Sequence, residues 1–157
     1  SDPKNFYALF GLADCYRGMN QQYRSVEYWN KILEIDPKNK VILTRAGDAY
    51  RNTGDYKTAT EYYNKAMNIE FDIYAALGLA LICKGEGKYD EAIERLSALI
   101  RENQKNYRLY IDLADSYLKM NQRSKAIETL ESFQKQGIRS QAINEALDKL
   151  RNNKSLS

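Results

Sequence analysis

Two rows of charge recur along the chain. Asp14 and Asp48 stand 34 residues apart, each followed three residues later by an arginine, Arg17 and Arg51; Asp115 repeats the acid and Lys84 the base. An acid and a base three apart face each other on a helix, so each pair reads first as a solvated ion pair contributing roughly a few tenths of a kcal/mol. The second reading is that the rows orient a charged ligand. Catalysis is not within their reach. The chain has no His, which removes the usual general base and the commonest metal ligand. The densest acids, Glu86, Asp90, Glu91 and Glu94, flank a turn and open a helix, where the dipole favours them. Gly85-Glu86-Gly87-Lys88 lacks the spacing of a phosphate loop, and no strand precedes it. With no convergent nucleophile, base or ligand set, the expectation is a non-catalytic protein without metal or cofactor.

A second set of residues is apolar where packing alone does not demand it: Tyr7, Phe10, Tyr74, Leu77, Leu81, Ile111 and Leu118. These either lean onto neighbouring helices as ordinary core or form an exposed strip that grips a partner. Composition is that of a folded chain, with 43% apolar and 29% charged residues over 157 positions and a net charge of +3. The whole surplus falls in residues 107–157, too little to announce a polyanion partner. No run approaches the length of a membrane span, so a soluble protein is expected. Cys15 and Cys83 fall on first helices two hairpins apart, beyond disulfide reach, and two free thiols lean toward a reducing, cytoplasmic setting. The first residues carry no leader, although an exported full-length chain is compatible with that.

The elements that position these residues come from an internal repeat. Asp2-Pro3-Lys4-Asn5 answers Asp36-Pro37-Lys38-Asn39, Ala13 answers Gly47, and Tyr16 answers Tyr50. Further on, Gly54-Asp55-Tyr56-Lys57-Thr58-Ala59 answers Gly87-Lys88-Tyr89-Asp90-Glu91-Ala92. The units are residues 6–39, 40–72, 73–106 and 107–140, with 1–5 reading as the end of a preceding repeat and 141–157 as a capping helix and tail. Within each unit apolar and small residues recur twice at helical spacing around a turn. In the second unit the stripes are Leu43, Ala46, Gly47, Tyr50 and Tyr56, Ala59, Tyr63, Ala66, with Gly54 ending one helix and Asp55 capping the next. One such hairpin cannot bury its apolar face, so neighbours must stack.

The pattern resembles the tetratricopeptide repeat (TPR) family, matched in the third unit by Leu79, Ala80, Gly87, Tyr89, Ala92, Leu96 and Leu99, and in the fourth by Tyr110, Leu113, Ala114, Tyr117, Ala126, Leu130 and Phe133. The first unit departs, with Asn20, Gln22 and Ser25 where Gly, Tyr and Ala are expected, which predicts a looser turn there. The resemblance implies an all-α fold: a right-handed α-solenoid superhelix of four helix-turn-helix repeats plus a C-terminal capping helix, cut from a longer array. It also implies that first helices line an inner groove that takes up peptide segments of a partner protein. Helical-wheel arithmetic places in that groove Tyr7, Phe10, Asp14 and Arg17; Thr44, Arg45, Asp48 and Arg51; Tyr74, Leu77, Leu81 and Lys84; and Arg108, Ile111 and Asp115. Anchors are expected near Phe10, Tyr74, Leu77 and Leu81, with orienting charges at Asp48, Arg51, Arg45 and Arg108.

The family's capture of chaperone C-termini is not expected, because Asp14 or Asp48 stands where a carboxylate needs a donor. The ligand expected is an apolar or aromatic segment of mixed charge. Two rivals remain. Self-assembly through an open edge near Phe6, Leu9 and Phe10 would make the array a structural scaffold. Single-stranded RNA is the less favoured partner, since the bases face an equal row of acids, and it would betray itself by steep salt dependence.

Overall fold

The computed structural model describes the backbone of residues 3–156 and side chains from Asn5 onward. Every element among the described residues is a helix, and the chain divides into two compact units at Ile82/Cys83, within one helix.

The first unit contains α1 (Pro3–Gly18), α2 (Gln22–Ile35), α3 (Lys40–Asn52), α4 (Tyr56–Ile69) and most of α5 (Ile73–Gly85). Consecutive helices pack in turn, α1 on α2, α2 on α3 and α3 on α4. Two apolar clusters form. Ala13, Trp29, Ile32, Ile42, Ala46 and Ala49 join α1 to α2 and α3; Leu43, Ala59, Tyr63, Ala66, Ala75 and Ile82 join α3 to α4 and α5. Each buried Leu or Ile side chain contributes about 1.5–3 kcal/mol, and no single hairpin supplies both sides of either cluster. The second unit continues through α6 (Tyr89–Glu102), α7 (Tyr107–Lys119), α8 (Arg123–Gln134) and α9 (Gln141–Arg151). Its core runs from Tyr110 and Ala114 on α7 through Ala126, Leu130 and Phe133 on α8 to Ile143, Leu147 and Leu150 on α9.

The turns inside the four hairpins share one geometry. A residue at positive φ follows the first helix, and the next N–H reaches back five residues: Gln21 N to Tyr16 O at 2.8 Å, Asp55 N to Tyr50 O at 2.9 Å, Lys88 N to Cys83 O at 2.8 Å and Gln122 N to Tyr117 O at 3.0 Å. Gly54 and Gly87 adopt φ 87° and 77°, while Asn20 and Asn121 adopt 57° and 58°. The looser first turn expected from Asn20 is therefore not found: Asn is among the few residues that tolerate this conformation, and it closes the turn as Gly does. As expected, Asp55 caps α4 by accepting from Thr58 N at 3.2 Å, and Ser140 caps α9 through Ile143 N.

Two further differences concern the start of the chain. The segment 1–5, read as the end of a repeat, is already helix α1 from Pro3 onward, a residue suited to the first helical position, and Asp2 lies outside the described residues. Phe6, Leu9 and Phe10, expected as an open edge, lean into the first cluster; Phe10 meets Trp29 edge to face at 5.3 Å. The face left uncovered is instead Ala8, Leu12, Cys15 and Met19. No described helix is long and apolar enough to cross a membrane.

Candidate functional site

The groove positions divide by unit. In the first, α3 carries Val41, Thr44, Arg45 and Asp48 on one face, and the entry to α5 brings Asp72 and Tyr74 beside them around a cavity of about 360 Å³. Val41 and Tyr74 form its apolar wall, 52% and 66% exposed. Thr44 sits at the floor, 5% exposed, its hydroxyl donating to Asp72 Oδ2 at 3.2 Å. Asp72 Oδ1 accepts from Tyr74 N at 2.8 Å and Ala75 N at 3.3 Å, so this carboxylate caps α5 where the Pro-bearing turn of the first repeat is missing.

Beneath Asp48 lies a residue the groove arithmetic did not place there. Tyr63 belongs to the packing stripe of α4 and is fully buried, yet its ring passes between Gly47 on α3 and Gly78 on α5. A Cβ on Gly47 would fall 2.7 Å from the ring, and one on Gly78 would overlap it. The two glycines open a slot through which the Tyr63 hydroxyl donates to Asp48 Oδ1 at 2.5 Å and accepts from Arg51 Nε at 3.1 Å. Gly78, which follows Leu77 on the same helix, is buried under this ring. Burial lifts Asp48 above the ordinary aspartate range, against the opposing pull of the Tyr63 hydroxyl, Arg51 and Arg45. Burial together with the Asp48 charge also pushes the Tyr63 hydroxyl upward.

The predicted acid and base rows prove to be pairs with distinct partners. Asp14 Oδ1 receives Arg17 Nε at 2.9 Å and Nη2 at 2.6 Å, the i, i+3 pair expected on a solvated face. Arg51 Nη2 lies 3.7 Å from Asp48 Oδ1. Arg45 Nη1 approaches Asp14 only to 3.9 Å and makes no hydrogen bond. Tyr7 projects outward at 73% exposure with its ring edge-on to Phe6 at 5.8 Å, whereas Phe10 packs on Trp29. Leu77 and Leu81 are half-buried.

In the second unit the base turns forward. Position 81 holds Leu, so Lys84 has no acid three residues behind it; its Nζ reaches Asp115 Oδ2 at 2.7 Å and Asp112 Oδ1 at 3.4 Å instead. Asp115 is thereby drawn out of the solvated groove to 4% exposure, with its Oδ1 unpaired. Burial raises Asp112, opposed by Lys84 and Arg108. Ile111 and Leu118 pack partly into the core of this unit, and Arg108 stays exposed. Cys15 and Cys83 are free thiols, the first exposed and the second buried, with burial pushing the Cys83 thiol up. Among the described residues no three potential metal ligands converge.

Three sequence models of the tetratricopeptide repeat match the chain, over residues 7–39, 42–73 and 85–137, and together take in most of it. A comparison with curated proteins found no significant match. Among solved structures, a tetratricopeptide repeat protein from Parabacteroides merdae superposes with a TM-score of 0.82 at 24% identity over 94% of this chain. The chain spans 59% of the length of that protein. MamA from Desulfovibrio magneticus RS-1 gives 0.75 at 16% identity, covering 98% of this chain and 87% of its own, and Pseudomonas aeruginosa pilF gives 0.76 at 18%, covering 96% and 69%. At these identities the structures speak for the fold alone. Helical hairpins closed by a common turn, three repeat-model matches and these neighbours agree: the chain belongs to the tetratricopeptide repeat family, a family of protein–protein interaction modules.

Proposed function

We propose that the chain is a non-catalytic docking module that takes up a peptide segment of a partner protein along its first helices. The supporting observation is the cavity shared by α3 and the start of α5, where Val41 and Tyr74 stay more than half exposed beside a fixed polar floor. Exposed apolar side chains over ordered polar groups are what a peptide site requires. Leu77 and Leu81 are half-buried, so charges placed there would test folding as much as binding. The decisive variant is therefore Val41→Ser/Tyr74→Ala. Random peptides selected on the wild type should bind it at least roughly tenfold more weakly, with an unchanged circular dichroism melt. Equal binding by the double variant would remove the groove from consideration.

A second reading, self-association through α1, rests on one comparison. Ala8, Leu12 and Cys15 are exposed, while their repeat equivalents Ile42, Ala46 and Ala49 on α3 are buried against the preceding hairpin. Sedimentation velocity decides it: a concentration-dependent dimer that Leu12→Glu dissolves supports this reading, and a monomer at high concentration defeats it.

A further inference from the structure

The cavity on α3 and α5 has an asymmetry of hydrogen-bonding capacity that names a ligand chemistry. Both of its acids are engaged. Asp48 holds the Tyr63 hydroxyl at 2.5 Å with Arg51 nearby, and Asp72 holds two backbone N–H groups of α5 and the Thr44 hydroxyl. The backbone pair also places the Asp72 charge at a helix N-terminus, which offsets it locally. Asp14, the other acid within reach, is gripped through two nitrogens of Arg17. Arg45 differs in having no hydrogen-bond partner among the described residues: it lines the cavity, its side chain is 33% exposed, Asp14 stands 3.9 Å away, and Asp48 feels its charge without bonding to it. A guanidinium offers five N–H donors in a fork that matches a carboxylate.

We propose that this cavity is a subsite for an acidic side chain, an internal Asp or Glu of the docked segment, held by Arg45 while an adjacent apolar residue packs on Val41 and Tyr74. The proposal rests on the peptide-docking reading and sharpens its specificity: a neutral balance of charges along the face becomes a preference for acid at one position. The three acids around Arg45 remain a counterweight, but each already has a strong partner, so the unspent donors decide which ligand group gains most. Because Arg45 makes no hydrogen bond among the described residues, Arg45→Gln should leave the fold intact.

Dodecapeptides displayed on phage, with their C-termini fused, are selected in parallel on the wild type and on Arg45→Gln. Selected peptides are then synthesised with acetylated and amidated ends, each with its acid kept or replaced by the amide. The expected result is Asp or Glu enriched beside a large apolar residue on the wild type only. Acid-bearing peptides should bind the wild type roughly tenfold more tightly than their Asn or Gln versions, and Arg45→Gln should not discriminate. Peptides that bind without acid enrichment, or with the same enrichment on Arg45→Gln, overturn the subsite while leaving the groove standing. A gain seen only when the amidated end is replaced by a free carboxylate overturns the internal side chain as the source. Failure of any peptide to enrich on the wild type defeats the groove and the subsite together.

Discussion

Gly78→Ala puts one methyl group where the structure has no room for it. The new Cβ would overlap the Tyr63 ring and stand 2.6 Å from both its Cε2 and its hydroxyl, against the 3.5–4.0 Å at which nonbonded carbons rest, roughly an ångström too close. The ring has little freedom to retreat, since Gly47 walls its other side and the hydroxyl is tied to Asp48 and Arg51. Overpacking costs about 1–3 kcal/mol and weakening a charge-assisted hydrogen bond about 1.5–3, offset by about 1 kcal/mol of helix propensity gained on replacing Gly. A net loss of about 1.5–5 kcal/mol follows, or a fall in melting temperature of about 3–20 °C for a chain of this length. Urea unfolding followed by circular dichroism measures it, with Gly11→Ala as the control: nothing lies within 4 Å of a Cβ at Gly11, so that variant should gain stability. If Gly78→Ala is as stable as the wild type or more so, the slot between the two glycines does not confine Tyr63 and the account of Asp48 fails with it.

Asp48 titrates above the ordinary aspartate value of 3.8 in the folded chain, so the folded state holds its proton more tightly than the unfolded state does. The stability it contributes is present in acid and is lost as pH rises from 3.8 through its raised folded value. The melting temperature of wild type minus Asp48→Asn should accordingly fall across that window, and a difference that rises with pH would contradict the burial of this carboxylate. At φ 57°, Asn20→Ala should cost about 1–2 kcal/mol while Asn20→Gly is tolerated, read by the same urea unfolding. Equal loss from both substitutions would mean that the first turn is not held by its backbone conformation.

The repeat was readable because it writes itself into spacing: small residues where helices approach, and an αL residue after each first helix. Asn20 was misjudged because a family signature names Gly, whereas the physical requirement is positive φ, which Asn also meets. The candidate site was less legible. Helical-wheel arithmetic found Arg45, Asp48 and Tyr74, which line the cavity, but it treats a helix as a cylinder and cannot tell how far a long side chain reaches. Thr44, Asp115 and Gly78 share the groove's angular position and are nonetheless buried, because Asp72, Lys84 and Tyr63 come over them from other elements. A usable signal for Tyr63 was present: glycines at Gly47 and Gly78, in two successive first helices, leave space that one large side chain of the intervening helix can fill. Asp72 was likewise legible as a cap, standing immediately before α5.

Trp29 is the chain's sole tryptophan, and it is wholly enclosed within the first unit. Its emission is thus a built-in gauge of melting in residues up to Ile82, silent about the rest, while ellipticity sums both halves. Whether the two curves coincide or separate reads out, without any label, how strongly neighbouring hairpins melt as one.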